Sequence, residues 1–167
     1  MIRTRPADAS DRDFLAAMLV EAINWDPHGQ PLAALVILSI PQNARYVEGW
    51  PRPGEYGVVA MDERNRRIGA AWWRRMPAEA PGYGFVGEHV PEVSIGVLSP
   101  HRARGVGTRL LQDLEAAAHA MEIAALSLSV ETGNPARRLY ARLGYEVVGR
   151  SGGAEIMVRD LGGPEGV

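Results

Sequence analysis

Arg102-Ala103-Arg104-Gly105-Val106-Gly107 lies between two segments of different periodicity. Before it, Glu92 to Leu98 reads as a strand. After it, Val106, Leu110, Leu114, Ala117 and Met121 trace an apolar stripe at helical spacing with no proline among them. A strand that turns directly into a helix leaves the first helical amides unpaired, aimed outward at the positive end of the helix dipole. Gly105 and Gly107 remove the Cβ atoms that would hold a ligand away from those amides. With Arg102, Arg104 and Arg109 adding positive charge, the segment has the makings of a diphosphate cradle. A turn that only needs flexible residues would look the same in isolation, so the flanking sequence has to decide. The segment lacks the Lys-Ser/Thr ending of a P-loop and the third glycine spacing of a dinucleotide fingerprint.

Working outward, Leu126, Leu128 and Val130 alternate with Ser127 and Ser129, which predicts a strand with one apolar and one small polar face. Asn134-Pro135 supplies an N-cap followed by proline at the first helical position, and Gly144 sits where a left-handed C-terminal cap belongs. Tyr145 to Val148 and Ala154 to Arg159 read as two closing strands. Towards the N-terminus, Tyr56 to Met61 and Ile68 to Arg74 form a hairpin pattern around the polar turn Asp62 to Arg66. Ile2 and Thr4 begin a short strand, and Ser10 with Asp13 resembles a capping pair for a helix whose core face is Phe14, Leu15, Met18, Leu19, Ala22 and Ile23. A second helix is expected over Leu32 to Ile40, bounded by Pro31 and Pro41. Trp72 and Trp73 alternate across their strand, so one is expected in the core and the other beside an acceptor cleft.

The chain has 167 residues, 46% hydrophobic and 23% charged, which suits one ordinary folded domain over residues 1–160 with a frayed tail at 161–167. A formal charge of -2 gives no global reason to bind nucleic acid or an anionic membrane. The absence of cysteine excludes a disulfide framework, a thiolate zinc site and a cysteine nucleophile. The four histidines, His28, His89, His101 and His119, show no ligand spacing, so no metal is expected. No apolar signal-peptide core or membrane-length run is present, and a cytoplasmic home is expected.

The cradle matches the coenzyme A motif of the GNAT N-acetyltransferase family at each fixed position: Arg or Gln, two residues, Gly, one residue, Gly or Ala. The segment Asn134 to Tyr145 resembles that family's Asn, Ala, Leu-Tyr, Leu-Gly-aromatic pattern, and the two lie in family order. The resemblance runs from about Glu92 to Val148, while the first 90 residues match only in element order. It implies a mixed α/β fold: a central, mostly antiparallel sheet, helices on both faces and a splayed strand pair for coenzyme A.

It also implies roles. Val97 and Ser99 would pair with the pantetheine arm as an added strand. Arg102, Ala103, Arg104, Gly105, Val106, Gly107 and Thr108 would wrap the pyrophosphate. Asn134 would cap its helix, contact the cosubstrate, or both. The implied reaction is direct attack of a primary amine on the thioester of acetyl-coenzyme A. Glu92 is the candidate base, acting through water, and Tyr140 the candidate acid on the departing sulfur. A backbone amide near Val97 would steady the carbonyl oxygen. Apart from the resemblance, His89 lies near Glu92 in sequence and could join a proton relay, but a loop histidine of no special role is the favoured reading.

The acceptor would meet the N-terminal part, where Trp25, Asp26, His28, Trp50 and Glu79 are candidates. A protein N-terminus, a lysine, an aminoglycoside-like drug, a polyamine and an amino acid all remain open. A homodimer is in keeping with the family. The rival reading is a non-catalytic acyl-coenzyme A binding or sensor module.

Overall fold

In the computed structural model, described over residues 1–162, the alternating segments become seven strands. They are β1 (Arg3–Pro6), β2 (Tyr56–Met61), β3 (Arg67–Arg74), β4 (Glu92–Val97), β5 (Ala125–Glu131), β6 (Glu146–Ser151) and β7 (Ala154–Asp160). The helices are α1 (Arg12–Ile23), α2 (Ala34–Ser39), α3 (Pro41–Ala44), α4 (Val106–Ala120) and α5 (Ala136–Arg142). The sheet order is β1-β2-β3-β4-β5-β7-β6. The β1/β2, β2/β3, β5/β7 and β6/β7 pairs are antiparallel, and β4/β5 is parallel. This is the mixed α/β architecture with a mostly antiparallel sheet that the sequence predicts. No described helix is long and apolar enough to cross a membrane.

The chain divides into two compact units, Met1–Trp73 with Ser94–Leu114, and Arg74–Val93 with the residues from Glu115 onward. In the first, the helix start is capped differently from the expectation. Asp8, not Ser10, is the N-cap of a 3₁₀ turn, Ala9–Asp11, and forms a capping box with Asp11. Asp11 is then wholly buried and gathers charge: Arg5 binds it through two nitrogens at 2.7 and 2.8 Å, Arg67 at 3.1 Å, and the Asp8 amide at 2.9 Å. The Arg5 guanidinium holds the Asp11 carboxyl at about 2, below its ordinary 3.8.

A depressed carboxyl stabilises the fold fully above its unfolded value, and that contribution fades as pH falls from about 3.8 towards 2. Asp11→Asn is therefore expected to cost about 2 kcal/mol at neutral pH. Urea unfolding between pH 2 and 6 checks this, since the gap between wild type and variant should narrow at the acid end.

β3 is buried along nearly its whole length, so both Trp72 and Trp73 are core, and the expectation that one lines a cleft fails. A strand covered on both faces has no solvent side for the alternation to select. Each indole N–H is satisfied by a backbone carbonyl, Trp72 by Tyr46 and Trp73 by Gly54, both at 2.9 Å. Trp50 is likewise buried and donates to the Asp8 carbonyl at 3.1 Å. The expected helix from Leu32 to Ile40 is shorter, Ala34–Ser39; it stops before Pro41 as expected, and that proline opens a separate helix, α3, at its first turn, where a missing N–H costs nothing. Gly96 in β4 lies against α1 so closely that a Cβ would fall 2.1 Å from the Met18 carbonyl oxygen.

In the second unit, β5 pairs with β7 from Ala125↔Asp160 to Glu131↔Ala154, and β6 closes the edge. Gly144, at φ +95, ends the turn after α5 in the left-handed region as predicted. Gly84 lies on the β5 backbone, where a Cβ would come within 2.6 Å of the Leu128 carbonyl carbon. Leu161 is buried and its amide donates to Ala124 at 2.8 Å, so the expected frayed tail does not begin there. Its remaining part, from residue 163, lies outside the described residues.

Along α4 the core positions are Val106, Leu110, Leu111, Leu114 and Ala118. Met121 is 46% exposed rather than core. The chain leaves the helix through Glu122 at φ +57, which hands the next buried position to Ile123.

Candidate active site

The cradle begins where β4 ends. Ser99–His101 makes a 3₁₀ turn, and Arg102 then runs extended at φ -71 and ψ 157. Two left-handed residues follow, Ala103 at φ 59 and Gly105 at φ +81. Ala103 pays a steric cost there that glycine would not, the kind of local strain that clusters at ligand sites. Past Gly105 the helix starts at once, and Arg109 donates to the Gly105 carbonyl at 3.1 Å. The amides of Val106, Gly107 and Thr108 precede that bond, so the helical ladder has no acceptor for them. A Cβ built on Gly105 meets no protein atom within 4 Å, so the space beside this backbone is open. Unpaired amides at the start of a fifteen-residue helix, with room in front of them, fit a diphosphate.

The three arginines do not contribute alike. Arg102 turns back into its own unit, donating from Nε to the Val97 carbonyl at 3.0 Å and pairing with Glu21 at 2.9 Å. Its side chain fixes the loop, and Glu21 takes up part of its charge. Glu21 gave no signal in the sequence, because a polar residue late in a helix is ordinary. Arg109 is paired with Asp113 at 2.9 Å, one helical turn on. Arg104 is exposed and has no carboxylate partner among the described residues. The Val97 carbonyl keeps a second lone pair beside the bond from Arg102. Ser99 lies exposed at the head of its turn.

In the second unit, Glu92 is only 3% exposed and lies in register with Ser127 across the parallel pair, while the Ser127 amide donates to Pro91 at 3.0 Å. Ser127 is fully buried, and its Oγ has no hydrogen-bond partner. A hydroxyl in that state costs about 1–3 kcal/mol, so it stands as a ready partner for water or a substrate group. Sequence reading passed over Ser127 because alternation with leucines marks it only as the polar face of a strand. His89 is exposed in the preceding loop.

Tyr140, on α5, is buried, with its ring 6.0 Å from that of Tyr145 and tilted by 58°. Burial pushes its phenol well above the ordinary value of 10, so it stays protonated and able to donate. The Asn134 side chain accepts from the Ala136 amide at 3.0 Å, but α5 begins at Ala136 with Pro135 as its N-cap, so Asn134 stands one residue before the capping position and Pro135 is not the first helical residue the sequence predicts. Of the acceptor candidates, Trp25 is half-buried, while Asp26, His28 and Glu79 are exposed. The Asp26 carboxylate also accepts from the His28 amide at 2.9 Å, which holds its loop.

The fold is that of several solved acetyltransferases. The chain superposes on the GNAT domain of S. lividans PAT with a TM-score of 0.67 at 19% identity, covering 95% of this chain and 90% of that one. PaiA N-acetyltransferase from Thermoplasma acidophilum, solved in complex with coenzyme A, gives 0.67 at 16% identity, covering 96% and 99%. Ribosomal-protein-alanine N-acetyltransferase from Brucella melitensis gives 0.67 at 22%, covering 95% and 99%. No curated protein matches the sequence. The acetyltransferase (GNAT) family model matches residues 18–145, a span that includes both the cradle and the segment from Asn134 to Tyr145, and the chain belongs to that family.

Proposed function

We propose that this acetyltransferase moves the acetyl group of acetyl-coenzyme A to a primary amine by direct attack. The observation that carries the reading is the pair of left-handed residues, Ala103 and Gly105, that present the unpaired amides opening α4 to a diphosphate. The added arm would take main-chain hydrogen bonds from Val97 and Ser99.

The chemistry then needs two proton transfers. An alkylammonium with a pKa near 10.4 is only about one part in a thousand free base at neutral pH, so a base is useful. Glu92 fits that part. It is buried at the head of β4, and Ser127, in register with it, offers a hydroxyl to hold a bridging water. As the C–N bond forms and the C–S bond breaks, the sulfur takes up charge. Tyr140, kept protonated by burial, offers its hydroxyl as a hydrogen-bond donor that steadies the charge on that sulfur.

Tyr140→Phe tests the assignment. It is expected to lower kcat about 10²-fold or more while leaving the affinity for acetyl-coenzyme A nearly unchanged, because the hydroxyl matters when thiolate charge develops. Steady-state kinetics beside a direct titration of acetyl-coenzyme A reads the two effects separately. Equal losses in rate and affinity would reassign Tyr140 to packing. In this reading the enzyme works in the cytoplasm on an amine whose identity the acceptor-side residues, Trp25, Asp26, His28 and Glu79, would select.

A further inference from the structure

A shallow, open cavity of about 380 Å³ lies in the first unit between the β2–β3 turn and the loop from β4 to α4. Its charged lining is unevenly paired. Arg66 is bound to Asp62 at 2.7 Å, and Glu63 to the Met1 amine at 2.7 Å. Arg64, from the turn, and Arg104, from the loop, also line the cavity, and neither guanidinium has a carboxylate partner among the described residues. His101 lines it as well. Both guanidiniums are exposed and border the same open space, so an anion held there would be attracted by both.

The backbone fixes where both arginines start. Arg64 precedes Asn65, which is left-handed at φ 60, and its amide is tied to the Asp62 carboxylate at 2.9 Å. Arg104 sits between the left-handed Ala103 and Gly105. A cation is poorly served here, since Asp62 and Glu63 are already engaged. A nucleic acid would need a positive surface far larger than one cavity. Forked guanidiniums match the oxygens of a phosphate, and the volume leaves room for the group that carries it.

We propose that this cavity binds a phosphomonoester dianion through Arg64 and Arg104. Two sources share that chemistry: the 3′-phosphate of coenzyme A, which rests on the acetyltransferase reading above, and a separate phosphate-bearing molecule, which does not. Arg64 lies in an exposed hairpin turn outside the cradle, so Arg64→Glu should fold and keep the catalytic groups intact.

The full chain, wild type and Arg64→Glu, is titrated with coenzyme A, with 3′-dephospho-coenzyme A, and with inorganic phosphate followed by ³¹P line width. If the cosubstrate supplies the phosphate, wild type prefers coenzyme A over its dephospho form by about tenfold to a hundredfold, and Arg64→Glu abolishes the preference. If the phosphate is separate, the two forms bind wild type alike, inorganic phosphate broadens, and the broadening is lost in Arg64→Glu. Arg64→Gln should give the intermediate result in either case. A variant that changes neither the ratio nor the broadening overturns the proposal. Failure of wild type to bind either form of coenzyme A would sink the acetyltransferase reading alone, because the inorganic phosphate arm still reports on the cavity.

Discussion

Glu92→Gln is expected to lower amine turnover about 10²- to 10⁴-fold near neutral pH, and progressively less as pH rises. The slope follows from the acceptor. At low pH nearly every amine carries a proton that must leave before or during attack, whereas near its own pKa solvent has already removed it. A base is therefore most valuable where the free amine is scarcest. Position supports the assignment: Glu92 is buried at the head of the strand that feeds the cradle, with Ser127 opposite it in register. Glutamine keeps the volume and much of the hydrogen bonding while removing the basic oxygen, so the fold should survive. A pH–rate profile of wild type and variant with the best available amine is the check. Wild-type turnover across the whole range would make Glu92 structural, and the base would then be sought near His89.

Gly105→Val should weaken acetyl-coenzyme A binding about tenfold to a hundredfold in a protein that still folds. The φ of +81 costs a β-branched residue on the order of 1–2 kcal/mol, and the new side chain would occupy the open space in front of the amides. Because no protein atom stands within 4 Å of the added Cβ, the damage should fall on the ligand rather than on the core. Gly96 supplies the contrast. Even alanine there would place its Cβ 2.1 Å from the Met18 carbonyl oxygen, so Gly96→Ala should lower the melting temperature substantially. Calorimetric titration and thermal unfolding, run on both variants, separate a cradle glycine from a packing glycine. Unchanged affinity in folded Gly105→Val would remove the cradle from the account.

The elements around this site were legible because each combines a clean period with a hard stop. β2, β3, β4 and α4 fall within a residue or so of their predicted limits, with turn residues or glycines at the ends. Element order followed from the same signals. The N-terminal region resisted reading for physical reasons. α2 and α3 are too short for helical period to show, and the proline that bounds the first also opens the second. Alternation misled at Trp72 and Trp73, since it reports sidedness only where one face is wet. It misled in the opposite sense at Ser127, whose small polar side chain looks surface-like yet is fully buried. The roles of Glu21 and Arg64 depend on partners distant in sequence, Arg102 for the first and Arg104 for the second, which no local pattern can supply.

If acetyl leaves the thioester for an amine, the products must show it in their stoichiometry. Purified protein is incubated with acetyl-coenzyme A and each of a panel of primary amines, from amino acids and polyamines to peptides with free N-termini. Released thiol and acetylated amine are then quantified together by mass spectrometry. For at least one amine the two are expected to appear one for one, well above the rate without protein. Tight binding of acetyl-coenzyme A with no acetylated product, or thiol appearing only with an equal amount of acetate, would contradict that expectation.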